Sequence, residues 1–151
     1  MKALTVYQPW ASLIAAGAKP YEFRGWRPPR SMIGQRIAIH AGARKMRDAE
    51  ISDLVCGVRF NSAARIALHA DKALPVLDAA IGRELPLSCI VCTAILGEPV
   101  HGLVAAQSMG ALLNDSEREG TFNWGWPLTD IIPEPAIPAR GRQGFWEWEG
   151  G

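Results

Sequence analysis

Apolar positions recur along the chain with two different spacings. Residues 2 to 7, Lys-Ala-Leu-Thr-Val-Tyr, alternate as a short strand. After Pro9 the spacing lengthens, and Trp10, Leu13, Ile14 and Gly17 fall on neighbouring turns of a helix that Pro9 opens and Gly17 caps. A second strand is predicted over residues 21–26. Its two-residue period puts Glu22, Arg24 and Trp26 on one face and Tyr21 and Phe23 on the other. The turn Arg27-Pro28-Pro29-Arg30 cannot continue a central strand. Residues 34–41 alternate again, with Ile37 and Ile39 inward.

Further along, residues 44–56 and 61–82 read as helical, with Asn61 as a cap and Pro75 in a first turn. A long apolar strand is predicted at 87–96, and mostly loop with a short helix over 98–126. Two last strands, at about 127–132 and 144–149, are separated by Pro133, Pro135 and Pro138. About six short strands that do not alternate regularly with helices predict an α+β chain. Its sheet would be a small mixed or antiparallel barrel, closed or half-closed, with peripheral helices, and not a doubly wound sheet.

At 151 residues, 48% hydrophobic and 21% charged, the chain suits one domain spanning residues 1–151. Its net charge of +1 hides an asymmetry. Residues 1–47 carry nine Lys or Arg against the single acid Glu22, and the remainder carries seven against fourteen. Either the basic part meets a polyanion, or the acidic part neutralises it through ion pairs. The apolar opening resembles a secretory signal, but Gln8, Pro9 and Ser12 interrupt it, so it reads as mature structure. No run of eighteen apolar residues predicts a membrane span.

Three cysteines, an odd count, argue for a reducing compartment, and the expected location is cytoplasmic. Cys89 and Cys92 have CxxC spacing, but on a buried strand positions three apart face opposite ways, so both are assigned to packing. His40, His69 and His101 are too scattered for paired ligands. The common phosphate-loop, dinucleotide, zinc-protease and serine-hydrolase motifs are absent as well, and no metal or cofactor is called for.

The densest chemistry lies in Gly17-Ala18-Lys19-Pro20-Tyr21-Glu22-Phe23-Arg24-Gly25-Trp26. Lys19 leaves a helix C-terminus, where it either contacts a phosphate or sits solvated in the helix dipole. Glu22 and Arg24 either form an ion network with Lys19 or meet a ligand, Glu22 accepting from a base and Arg24 stacking or forking to a phosphate. The six tryptophans come in near pairs. Trp146 and Trp148 share a strand face and read as core. Trp26, beside Arg24, Arg27 and Arg30, is the better stacking candidate. Trp10 faces either the core or the cleft, and Trp124 and Trp126 are expected in a Gly-rich loop.

The opening from Ala3 through Gln8-Pro9-Trp10 to Trp26, the Ile37-Ala-Ile-His-Ala41 strand and the closing Gly141-Arg-Gln-Gly-Phe-Trp146 resemble an ASCH-domain protein of the PUA-like superfamily. The pattern G-x-K-x-x-E-x-R falls on Gly17, Lys19, Glu22 and Arg24, whereas residues 44–84 carry no family motif. The resemblance implies a small barrel with a cleft beside that pattern, used for single-stranded RNA or a nucleoside. Gln8, Trp10, Lys19, Glu22, Arg24, Trp26, Arg27, Arg30 and Trp126 are its candidate binding residues.

Two alternatives stay open. Some family members resemble ribonucleases, which would give Lys19 and Glu22 catalytic roles as charge stabiliser and general base. One amidohydrolase branch, acting on N4-acetylated cytidine, carries a threonine nucleophile three residues after the lysine. Glu22 stands there instead, which departs from deacetylation. The third reading is a structural or protein-interaction domain, and the oligomeric state is left open.

Overall fold

The computed structural model describes residues 1–60, 67–111 and 124–150. The expected cap Asn61, and residues 112–123 of the stretch expected to be mostly loop, lie outside them. The order is β1 (Lys2–Val6), α1 (Trp10–Ala15), β2 (Tyr21–Arg24), a 3-10 turn (Arg30–Met32), β3 (Arg36–Ala41), α2 (Asp48–Phe60), α3 (Ala70–Ala80), β4 (Cys89–Leu96), β5 (Val100–His101), α4 (Gly102–Ser108), β6 (Trp124–Pro138) and β7 (Phe145–Glu147).

One mixed sheet runs in the order β2-β6-β4-β3-β1-β7, with the two-residue β5 on β6. β1 and β3 are parallel, and the remaining pairs are antiparallel. The sheet curls into a half-closed barrel around Leu4, Ile37, Ile39, Leu96 and Trp126, all fully buried. Burial of side chains this size contributes roughly 2–3 kcal/mol each. A second apolar cluster joins Leu13 of α1 to Ile51 and Leu54 of α2 and to Leu77 of α3. The described part of the segment without a family motif thus supplies a helical pair packed against the first helix.

The C-terminal half corrects the sequence reading most. Trp124 and Trp126 lie in β6, not in a loop, and the strand expected at about 127–132 extends over residues 124–138, through the prolines expected to end it. β6 has one extra residue relative to β4 between Thr129 and Ile132, and two between Pro133 and Ile137. Asp130 (φ 47°) and Ala136 (φ 57°) take left-handed backbone at these bulges. The bulges break the hydrogen-bond pattern where prolines would otherwise stop it, so a proline-rich strand persists. A matching bulge at Val91 in β4 shifts the side-chain phase. Cys89, Val91, Cys92, Ala94 and Leu96 therefore all reach the same core, although strict alternation set the two cysteines on opposite faces. The helix containing Pro75 runs from Ala70 to Ala80, which leaves the proline in its interior and not in a first turn.

Candidate functional site

Gly17 determines where the first part of the site goes. It takes left-handed backbone (φ 69°) just after α1, and the amides of Ala18 and Lys19 both turn back to the Leu13 carbonyl, at 2.8 and 3.2 Å. The chain passes beneath the helix, and Lys19 is carried inward to 0% exposure. Its Nζ lies 3.5 Å from Glu22 Oε2, 5.4 Å from the Trp10 ring centroid and 4.9 Å from that of Phe23. Glu22 has 7% of its side chain exposed. Its other oxygen accepts from Arg24 Nε at 2.8 Å, so two cations hold one carboxylate.

Arg24 then leaves the strand face. Its Nη2 donates to the Thr5 carbonyl at 2.7 Å and ties β2 to β1, two strands with no backbone pairing between them. Alongside this tie the half-barrel opens into a cleft of about 1500 Å³. Glu22 and Arg24 form part of its floor, while Trp10, Trp26 and Tyr7 line its sides. Trp26 is 40% exposed and Tyr7 58%, both high for aromatic rings in a concave site. A Cβ on Gly42 would lie 3.0 Å from Tyr7 Cδ1, so the Tyr7 ring rests on glycine backbone.

Opposite β2, the strap over residues 139–144 forms the other lip. Its backbone is pinned at three points. The Ala139 amide donates to Ser88 O (2.9 Å), the Ala139 carbonyl meets His40 Nε2 (3.0 Å), and Thr5 Oγ1 donates to the Arg142 carbonyl (2.9 Å). Gly141 packs so closely that a Cβ there would lie 2.6 Å from His40 Nδ1 and 2.9 Å from Thr5 Oγ1. His40 is almost fully buried, and its Nδ1 has no hydrogen-bond partner among the described residues. Desolvation pushes its pKa below 6.5, against a smaller upward pull from the Ala139 hydrogen bond.

The predicted residues separate into two groups. Glu22, Arg24, Trp26 and Trp10 share the cleft. Lys19 lies behind Glu22, sealed from solvent, so the solvated-lysine alternative does not hold. Trp126 is fully buried, donating from Nε1 to the Trp26 carbonyl at 3.1 Å and stacking on Phe145 at 5.8 Å. Gln8 is consumed locally: Nε2 donates to Ser12 Oγ and to Pro86 O, and Oε1 accepts from the Ser12 amide. It borders a separate cavity of about 290 Å³. Arg27 lies over the Trp124 ring at 4.5 Å and pairs with Glu98, and neither Arg27 nor Arg30 lines the cleft.

Sequence reasoning missed Tyr7, His40, Arg140 and Arg142. The last two were hidden in an acidic half, although the closing Gly141-Arg-Gln-Gly segment already carried family resemblance.

The ASCH domain family model matches residues 4–97 of this chain. The chain belongs to the ASCH domain family. The match takes in the Lys19, Glu22 and Arg24 cluster and ends just after β4. An ASCH crystal structure from Zymomonas mobilis matches at 21% identity with a TM-score of 0.49, covering 91% of this chain and 72% of that one. Two point-substituted forms of the same Zymomonas mobilis protein give the same score and identity over 91% of this chain, covering 74% and 72% of theirs. Among curated proteins nothing matches. No group of three or more His, Cys, Asp or Glu that could hold a metal ion is found among the described residues. Nor is any helix among them long and apolar enough to cross a membrane.

Proposed function

We propose that this ASCH domain binds single-stranded RNA, or a nucleoside unit of it, in the cleft between β2 and the strap. One observation carries the reading: exposed aromatic rings, Tyr7 and Trp26, share a solvent-open concavity with the Glu22 and Arg24 pair. Bases stack on rings whatever their identity, while a carboxylate held beside a guanidinium offers an acceptor and a donor to a base edge or sugar. Lys19 serves this site from behind by fixing the Glu22 carboxylate, and it does not reach the ligand.

The test is titration of the protein with single-stranded oligoribonucleotides and with free nucleosides, followed by tryptophan fluorescence and checked for products. Tyr7→Ala and Trp26→Ala should each weaken binding by about 1–3 kcal/mol without loss of fold. Saturable binding without turnover supports the proposal. Turnover that Glu22→Gln abolishes would make the protein a hydrolase. No binding of either ligand would leave the interaction-domain reading.

A further inference from the structure

The charge asymmetry of the sequence is largely cancelled in the fold. Of the nine cations in residues 1–47, every one except Arg30 lies within ion-pair distance of a carboxylate among the described residues. Those carboxylates include Glu98, Asp130, Glu84 and Glu147 of the acidic part. The N-terminal segment therefore presents little uncompensated charge. Arg140 and Arg142 differ. Both are exposed, both line the cleft, and neither has a carboxylate partner among the described residues.

We propose that Arg140 and Arg142 on the 139–144 strap form the phosphate-binding lip of the cleft, gripping the phosphodiester backbone of a chain several nucleotides long. This deepens the RNA reading above and rests on it for the identity of the ligand. Three features support it. The strap is held by Ser88, His40 and Thr5, so the two guanidiniums stand on fixed backbone and less ordering is needed on binding. Gly141 between them abuts His40 with no room for a Cβ, which sets the height of the strap over the sheet. The cleft, at about 1500 Å³, exceeds the 300–1000 Å³ of usual small-molecule sites, so a free nucleoside would leave most of it empty. Arginine is suited to this role because its planar fork matches phosphate oxygens.

The experiment measures anisotropy of a labelled single-stranded oligoribonucleotide at several salt concentrations. It compares the native chain with Arg140→Gln/Arg142→Gln, Arg27→Gln/Arg30→Gln and Gly141→Ala. The strap double variant should bind about 10- to 100-fold more weakly at low salt, and the slope of log affinity against log salt should become shallower by about 1.4 for two lost phosphate contacts. The Arg27→Gln/Arg30→Gln variant should alter the slope much less. Gly141→Ala should weaken binding while keeping both charges.

A second arm titrates inorganic pyrophosphate and follows backbone amide signals, which should move at residues 140–144. If RNA binds but the strap double variant keeps its affinity and slope, the inference is overturned while the RNA reading stands. Amide shifts from pyrophosphate without RNA binding would overturn the RNA reading and keep the anion site. If neither ligand acts, both fall.

Discussion

At the scale of single residues, Lys19 changes role between sequence and structure. A lysine just past a helix end reads as solvent-facing, yet the Gly17 turn places its ammonium beneath the floor, between two rings and a carboxylate. Lys19→Met should therefore destabilise the fold by about 3 kcal/mol in denaturant unfolding, because it strips a buried carboxylate of one partner. A residue that only touched ligand would instead lose affinity at constant stability. His40 gives a pH test. Its folded pKa is depressed, so the unfolded chain takes up a proton more readily as pH falls below 6.5, and the stability present above that value is lost on acidification. Melting curves between pH 7.5 and pH 5 should show this loss, with a smaller one in His40→Gln. The thiols can be counted: Cys92 is pushed up to about 12, mainly by burial, and Cys89 is raised by the same cause. Only Cys56 is exposed, so a native thiol titration should find one reactive group and a denatured one all three.

Among elements, the strands with clean alternation were legible and the irregular ones were not. β1 and β3 follow from period-two patterns, and α1 from its opening proline and closing glycine. β6 was misread because prolines normally end a strand, and nothing local in the sequence announces that bulges at Asp130 and Ala136 will accommodate them. The same bulge logic explains why the two cysteines of β4 share a core. In α3 the error ran the other way. Pro75 was read as a start signal, but the helix begins five residues earlier and carries the proline inside. An interior proline removes a hydrogen bond and strains the preceding turn, so Pro75→Ala should stabilise the protein by about 1 kcal/mol or more, measured by chemical unfolding.

For the whole molecule, the pattern over residues 17–26 supplies only one side of the cleft. Glu22, Arg24 and Trp26 were readable because they sit within five positions of each other. The strap was not, since more than a hundred residues separate Thr5 from Arg142, and only the curl of the sheet makes them neighbours. Charge shows the same limit. The basic and acidic parts of the chain read as two territories, but the fold interleaves them into ion pairs, most of them at least partly exposed. Raising salt should accordingly change the melting temperature by only a few degrees, since exposed pairs contribute about 0–1 kcal/mol each. Oligonucleotide affinity should fall steeply over the same range.

The tie from Arg24 to the Thr5 carbonyl has a mechanical consequence. Along that seam one guanidinium does what a row of amides does elsewhere in the sheet. A guest seated across both lips would act as a second clasp along that seam, where β1 and β2 share no backbone pairing. Occupancy should then make the fold harder to melt, by an amount that grows with the logarithm of guest concentration.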